Sequence, residues 1–290
     1  MNIIERFIAL DRRWIFLVLS LVCVIAYASK FVVPILVTPE VKRIYDFVDA
    51  RQKGDLLFIA IDYDPNAQAE LHPMTYAVVE HALRREVKLI FSSLSQNGPG
   101  MTSQAIRDIT DSMRLEQTYN GVTYPGREIV SGVDYTFLGY KPYFTIIILG
   151  MGQNFRIPFP NDYYGVPLDS LPMMSGVRNF DDVDGVIDIG GGNITDAWIS
   201  YGQGRFGFPL ALGLTGVMVM QYYPYLNSGQ VFGLMGGLLG AAQYEQLADN
   251  PGLAKDGMRI QLFAHFVIIL FIIIGNISYF TSQKSKGKVR

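Results

Sequence analysis

The stretch Leu56-Leu57-Phe58-Ile59-Ala60-Ile61, followed by Asp62-Tyr63-Asp64, decides the fold that this sequence predicts. Six apolar residues that end at acidic residues are typical of a strand buried on both faces, and such strands belong to parallel sheets covered by helices. Similar short apolar runs recur along the chain at residues 87–91, 144–149, 186–189 and 210–214. Together these runs predict five strands.

Helical patterns separate these runs. Apolar residues recur at helical spacing over residues 39–51, 73–85, 102–116 and 195–201. Strands that alternate with helices indicate an α/β fold, and we predict a Rossmann-like, doubly wound, mostly parallel sheet. Right-handed crossovers would then place the carboxyl ends of the strands along one edge. Two regions fit less well: we expect an excursion or small hairpin over 117–143 and a long ordered loop over 156–182.

The composition favours a membrane-anchored protein with one folded domain. Half of the 290 residues are hydrophobic and 17% are charged, where soluble domains typically have about 25% charged residues. The formal net charge is −2. A nucleic-acid-binding protein would show a basic excess, so this class is excluded.

Two apolar stretches are long enough to cross a bilayer, which needs about 20 residues. They cover residues 14–37 and 260–280 and predict two transmembrane helices. The α/β domain between them, residues 39–258, would lie outside the membrane. Residues 1–13 resemble an interfacial amphipathic segment, an irregular tail being the alternative, and 281–290 form a basic tail.

The charge distribution favours one orientation of this integral membrane protein. Seven Lys and Arg residues lie in the two ends, and four flank the predicted spans in the middle region. Because positive charge is enriched on the cytoplasmic side, we expect cytoplasmic termini and an extracytoplasmic domain.

Acidic residues after the first strand are the candidate catalytic groups. Asp62 and Asp64 would face the same side of an extended chain and could act as an acid–base pair or share a cation, with His72 nearby. The alternative is that both aspartates hold the turn before Pro65. The sequence carries no zinc motif and no nucleophile motif, so we predict no dedicated metal site and identify no cofactor.

Glycine-rich segments after two predicted strands are the candidate ligand-binding loops. Glycine permits positive φ angles and close backbone approach, and loops before helices offer free N–H groups to anions. A tight strand-to-helix turn is the alternative. The candidate residues are Gly150, Gly152, Asn154, Gly190, Gly191, Gly192 and Asn193.

A third set of glycines predicts close helix packing. Their spacing of three and four residues within an apolar segment is typical of helices that approach another backbone. The set is Gly229, Gly233, Gly236, Gly237 and Gly240. We expect it to contact another subunit, with tight packing on the sheet as the alternative.

These observations predict a non-enzymatic subunit or scaffold of a membrane protein assembly. Its expected partners are the lipid bilayer and either further copies of the chain, as a homo-oligomer, or other membrane protein subunits. One alternative is a small-ligand-binding or sensor domain that uses the crevice at the strand ends. The other is a metal-dependent, hydrolase-like enzyme that uses Asp62, Asp64 and His72.

Overall fold

The computed structural model describes residues 11–29, 31–119, 122–249 and 252–287. The chain divides into two compact units. One consists of Ile35–Ala254, and the other combines Met1–Pro34 with Lys255–Arg290. Residues 1–10 of the predicted interfacial segment and residues 288–290 of the predicted basic tail lie outside the described residues.

The unit Ile35–Ala254 is built on a six-stranded parallel sheet. The strands of the described chain are β1 Leu56–Asp62, β2 Lys88–Ser93, β3 Gln117–Tyr119, β4 Val122–Tyr124, β5 Tyr135–Tyr140, β6 Gly185–Gly190, β7 Leu210–Leu214 and β8 Gly233–Gly236. The sheet order is β5-β2-β1-β6-β7-β8, and every neighbouring pair is parallel. This order is that of doubly wound folds, and it confirms the predicted α/β class. The strands β3 and β4 form a separate antiparallel hairpin within the predicted 117–143 excursion.

Helices cover both faces of the sheet. The α-helices of four or more residues in the described chain are α1 Arg12–Ala28, α2 Pro39–Asp49, α3 Gln68–Arg84, α4 Gly98–Met113, α5 Phe144–Gln153, α6 Ile194–Ala197, α7 Tyr223–Asn227, α8 Gly237–Leu247 and α9 Leu253–Gly287. A π-helical segment, Trp198–Gln203, continues α6. Helices α3, α4 and α8 pack together on one face. On the other face, α5 and the π-helical segment pack over Phe58 and Ala60 of β1.

The prediction of a strand over 144–149 is wrong. These residues lie in α5, and the strand that pairs with β2 is β5, within the region expected to be an excursion. A short apolar run does not by itself distinguish a buried strand from a buried helix, because both bury consecutive apolar side chains. The true strand, Tyr-Thr-Phe-Leu-Gly-Tyr, lies at the edge of the sheet and is less apolar.

The prediction of one glycine-spaced helix is also wrong. Gly229 lies in a turn with φ of +80°, Gly233 and Gly236 lie in β8, and α8 begins only at Gly237. A Cβ atom on Gly233 would lie 2.3 Å from Ile44 Cγ1 of α2. The glycine is therefore explained by close approach of a helix to a strand, and Gly229, Gly233, Gly236, Gly237 and Gly240 do not share one helix face.

One helix within the described residues is long and apolar enough to cross a membrane. It is the 28-residue part of α9 from Leu253 to Phe280. The predicted span 14–37 is not one helix, because α1 ends at Ala28 and residues 31–37 are not helical. At 1.5 Å per residue, the 17 residues of α1 extend about 26 Å, less than the ~30 Å of a bilayer core. The second crossing stays a prediction.

Candidate functional site

The order of the sheet reverses between β1 and β6, and two acidic residues lie at this point. The parallel register pairs Ala60 with Asp188 and Asp62 with Gly190. Since alternate residues of a strand share a face, Asp62 and Asp188 lie on the same face of the sheet, two positions apart along adjacent strands. Only 2% of Asp62 and 0% of Asp188 is exposed. Doubly wound folds bind their ligands at this switch point, so the pair is the first candidate for a site.

Each carboxylate has its own hydrogen-bond donors. The Leu94 backbone N–H donates to Asp62 Oδ1 at 2.5 Å, and the Trp198 indole Nε1–H donates to Asp62 Oδ2 at 2.7 Å. The Thr195 hydroxyl donates to Asp188 Oδ2 at 2.7 Å. Asp188 Oδ1 accepts no hydrogen bond from any other described residue. A proton on Asp188 is therefore free to bridge to Asp62.

The pKa values of both groups are displaced upward. Burial raises the pKa of Asp62 to about 6, although the hydrogen bonds from Leu94 and Trp198 act in the opposite direction. Burial, and then the negative charge of Asp62, raise the pKa of Asp188 well above its ordinary value. Because two neighbouring carboxylates disfavour double ionisation, the pair keeps a proton to a higher pH than an ordinary aspartate does.

Side chains of the protein fill the switch point. Trp198 is fully buried against Asp62, and Leu94 is 4% exposed. A Cβ atom on Gly190 would lie 2.4 Å from the Thr195 hydroxyl, and one on Gly98 would lie 2.7 Å from the Ile61 carbonyl oxygen. The backbone packs tightly on both sides of the acidic pair, which leaves the carboxylates without access for a substrate.

The three predicted catalytic residues have separate partners. Asp62 contacts Trp198 and Leu94, whereas Asp64 accepts a hydrogen bond from the Ser95 hydroxyl at 2.6 Å. His72 Nδ1 lies 2.6 Å from the Tyr63 hydroxyl, and burial lowers the pKa of His72. The two aspartates tie the end of β1 to the segment that follows β2. In the part of the chain that the structure describes, no three His, Cys, Asp or Glu side chains are placed to hold a metal ion.

The predicted ligand-binding glycines fall into two separate places. Gly150 and Gly152 lie inside α5 rather than after a strand, and a Cβ atom on Gly152 would lie 2.0 Å from Phe206 Cζ. Asn154 follows α5, and its side chain accepts a hydrogen bond from the Arg156 backbone N–H at 3.0 Å. This group therefore serves helix packing and a local turn.

The second group, Gly190 to Asn193, does follow a strand. The Gly191 N–H donates to the Asp62 carbonyl oxygen at 3.2 Å, while Gly191 and Asn193 are exposed and Gly192 is half-buried. The Asn193 side chain does not cap the short helix α6. Through the Gly191 hydrogen bond, the segment connects the end of β6 to the end of β1.

Sequence reasoning does not identify the acidic pair. Asp188 stands inside the apolar strand Gly-Val-Ile-Asp-Ile-Gly, and a charged residue inside such a strand is almost never fully buried unless it has a partner. This is the one signal that the sequence offers for the pair. Its partner Asp62 and the covering residue Trp198 are 126 and 10 positions away, so only the fold brings them together.

Comparisons with protein-family models, with curated proteins and with solved structures give no match to this chain.

Proposed function

We propose that this chain is a membrane-anchored, non-enzymatic subunit or scaffold of a membrane protein assembly. The sealed switch point carries the proposal. Where a doubly wound enzyme opens a crevice for its ligand, Trp198 and Leu94 cover two carboxyl groups that are at most 2% exposed. The acidic pair serves as a polar element of the core rather than as a reaction site.

Helix α9 supports the anchoring part of the proposal. Its segment Leu253–Phe280 has the length and apolar composition of a membrane span, and the most apolar part of this segment is not buried within the chain. Each apolar side chain left in water would cost about 25 cal/mol per Å² of exposed surface, which a bilayer would remove. Residues 14–37 are proposed as the second anchor, with the termini in the cytoplasm.

Both ends of the unit Ile35–Ala254 are held by α8. The Gln243 side chain donates to the Leu36 carbonyl oxygen at 2.7 Å, and the Ala254 N–H donates to Glu245 Oε1 at 2.8 Å. Gln243 and Glu245 are both buried. One helix thus fixes the points at which the chain enters and leaves the domain, an arrangement that suits a rigid scaffold.

Helix α5 supports contact with another polypeptide. Phe144–Gln153 contains no charged residue. Ile146 in this helix is 67% exposed, and Ile157, four residues after its end, is 61% exposed. Clusters of exposed apolar residues mark interaction surfaces. A second copy of the chain is the partner that we propose for this surface.

Native mass spectrometry of the full chain, extracted in mild detergent, tests the subunit proposal. We expect an oligomer for the natural sequence and a shift towards monomer for Ile146→Lys, because a charge at the centre of an apolar contact is costly to desolvate. Val217→Lys is the matched control, since Val217 is 84% exposed and lies after β7. A monomer at every concentration of the natural sequence would contradict the proposal.

A further inference from the structure

A cavity of about 600 Å³ lies at the amino ends of the strands, whereas the switch point lies at their carboxyl ends. The cavity is open to solvent and is lined by α2, by the connection that leads into β7, and by the turn that precedes β8. Sites for small ligands typically have volumes of about 300–1,000 Å³, with apolar walls and a few convergent polar groups. The cavity has this size, and its lining has this character.

Three phenylalanines form the apolar walls. Phe47 comes from α2, Phe208 precedes β7 and Phe232 precedes β8. The rings of Phe47 and Phe232 lie 4.6 Å apart, centroid to centroid, while Phe208 is 5% exposed. The half-buried rings of Phe47 and Phe232 therefore offer apolar surface that an alkyl or aromatic group can contact.

The charges around the cavity leave one cation available. Arg51 pairs with Asp184 at 3.3 Å and lies over the Phe47 ring, and Asp46 accepts from the Lys42 ammonium at 2.6 Å. No carboxylate of the described residues lies within 4.0 Å of the guanidinium of Arg43, which is exposed. The charged lining residues, Arg43, Arg51 and Asp46, sum to +1.

The geometry points to a site for an amphiphilic anion: a single apolar tail on Phe47 and Phe232 and an anionic head, carboxylate or phosphate, on Arg43. A guanidinium forms strong charge-assisted hydrogen bonds with either head. The apolar walls favour a tail over a small hydrophilic anion. This inference rests on the domain alone and stands apart from the proposed membrane function.

Hydrogen–deuterium exchange of the full chain in phosphatidylcholine nanodiscs tests the site. The probes are decanoate and decyl phosphate, with decanol as the tail without charge and acetate and inorganic phosphate as the charge without a tail. We expect saturable protection of residues 203–210 and 229–232 by at least one of the two anionic amphiphiles. Decanol, acetate and phosphate should need at least tenfold higher concentrations.

The variant Arg43→Gln provides the second arm, with Arg107→Gln, an exposed arginine of α4, as the matched control. We expect the first to raise the half-protection concentration about tenfold and the second to leave it unchanged. Any one of four results would overturn the inference. They are equal protection by decanol, protection by acetate or phosphate alone, no protection at these residues, and no effect of Arg43→Gln.

Discussion

Asp62 and Asp188 each make the folded domain less stable as the pH rises, whereas buried His81, whose pKa is lowered to about 4, acts in the opposite direction. Each of the two acids has a higher pKa in the folded protein than an aspartate has in an unfolded chain, because burial disfavours the charged form. A group of this kind contributes its stability fully below the unfolded pKa and loses it as the pH rises through the folded pKa. The contribution of Asp62 should therefore fall between pH about 4 and about 6.

The substitution Asp188→Asn tests this interpretation. Asparagine can accept the hydrogen bond from Thr195 and donate one to Asp62, and it has no second carboxyl group that would have to ionise in the core. We expect Asp188→Asn to raise the free energy of unfolding by about 1–3 kcal/mol at pH 7 and by less at pH 4, where the carboxyl of Asp188 is already neutral. Thermal and denaturant unfolding measure both effects.

Asp111→Asn, which removes only an exposed ion pair with Arg114 in α4, is the control and should change the free energy of unfolding little at either pH. A loss of stability in Asp188→Asn at pH 7 would show that the acidic pair is not held in the manner described.

At the scale of elements, the buried strands can be predicted from the sequence and the edges of the sheet cannot. Strands β1 and β7 have the apolar runs and acidic or glycine ends that the patterns require, and the patterns predict both within one residue. Strand β5 is not recognisable, because an edge strand needs less apolar surface. Strand β8 has only four residues, two of them glycine, so its sequence is also consistent with a helix.

The same limit applies to the candidate site. The position of Asp62 at a strand end is predictable, because it follows directly from the apolar run. The pairing of Asp62 with Asp188 depends on the register of β1 with β6. The burial of Asp62 depends on the position of Trp198, the first residue of the π-helical segment. Neither property is encoded in local spacing.

The substitution Gly233→Ala distinguishes the observed strand from the predicted glycine-spaced helix. In β8 a Cβ atom would lie 2.3 Å from Ile44 Cγ1 and 2.9 Å from the Glu40 carbonyl oxygen. We expect a loss of about 1–3 kcal/mol in unfolding free energy, from overpacking. In a helix the same substitution would instead stabilise by about 1 kcal/mol.

Gly100→Ala in α4 is the matched control, because nothing lies within 4 Å of the position that the alanine methyl group would take, and the φ of Gly100 is not positive. Denaturant unfolding should show little change or a slight stabilisation there. A stabilised Gly233→Ala variant would contradict the assignment of β8.

At the scale of the whole molecule, the domain combines a sheet topology that usually opens a ligand site with a switch point that is closed. The connections to the rest of the chain are both fixed on α8, through Gln243 and Glu245. The closed switch point and the fixed connections are both consistent with the proposed scaffold. We expect a ligand to bind in the cavity at the amino ends of the strands, beside Arg43.

Fluorescence of Trp198 tests the sealed switch point most directly. The chain has two tryptophans, so the variant Trp14→Phe leaves Trp198 as the sole emitter. For an indole that is fully buried and donates to Asp62, we expect blue-shifted emission and acrylamide quenching about tenfold weaker than for free tryptophan. Emission at the wavelength of water-exposed tryptophan, with efficient quenching, would contradict it, because the crevice would then be open to solutes.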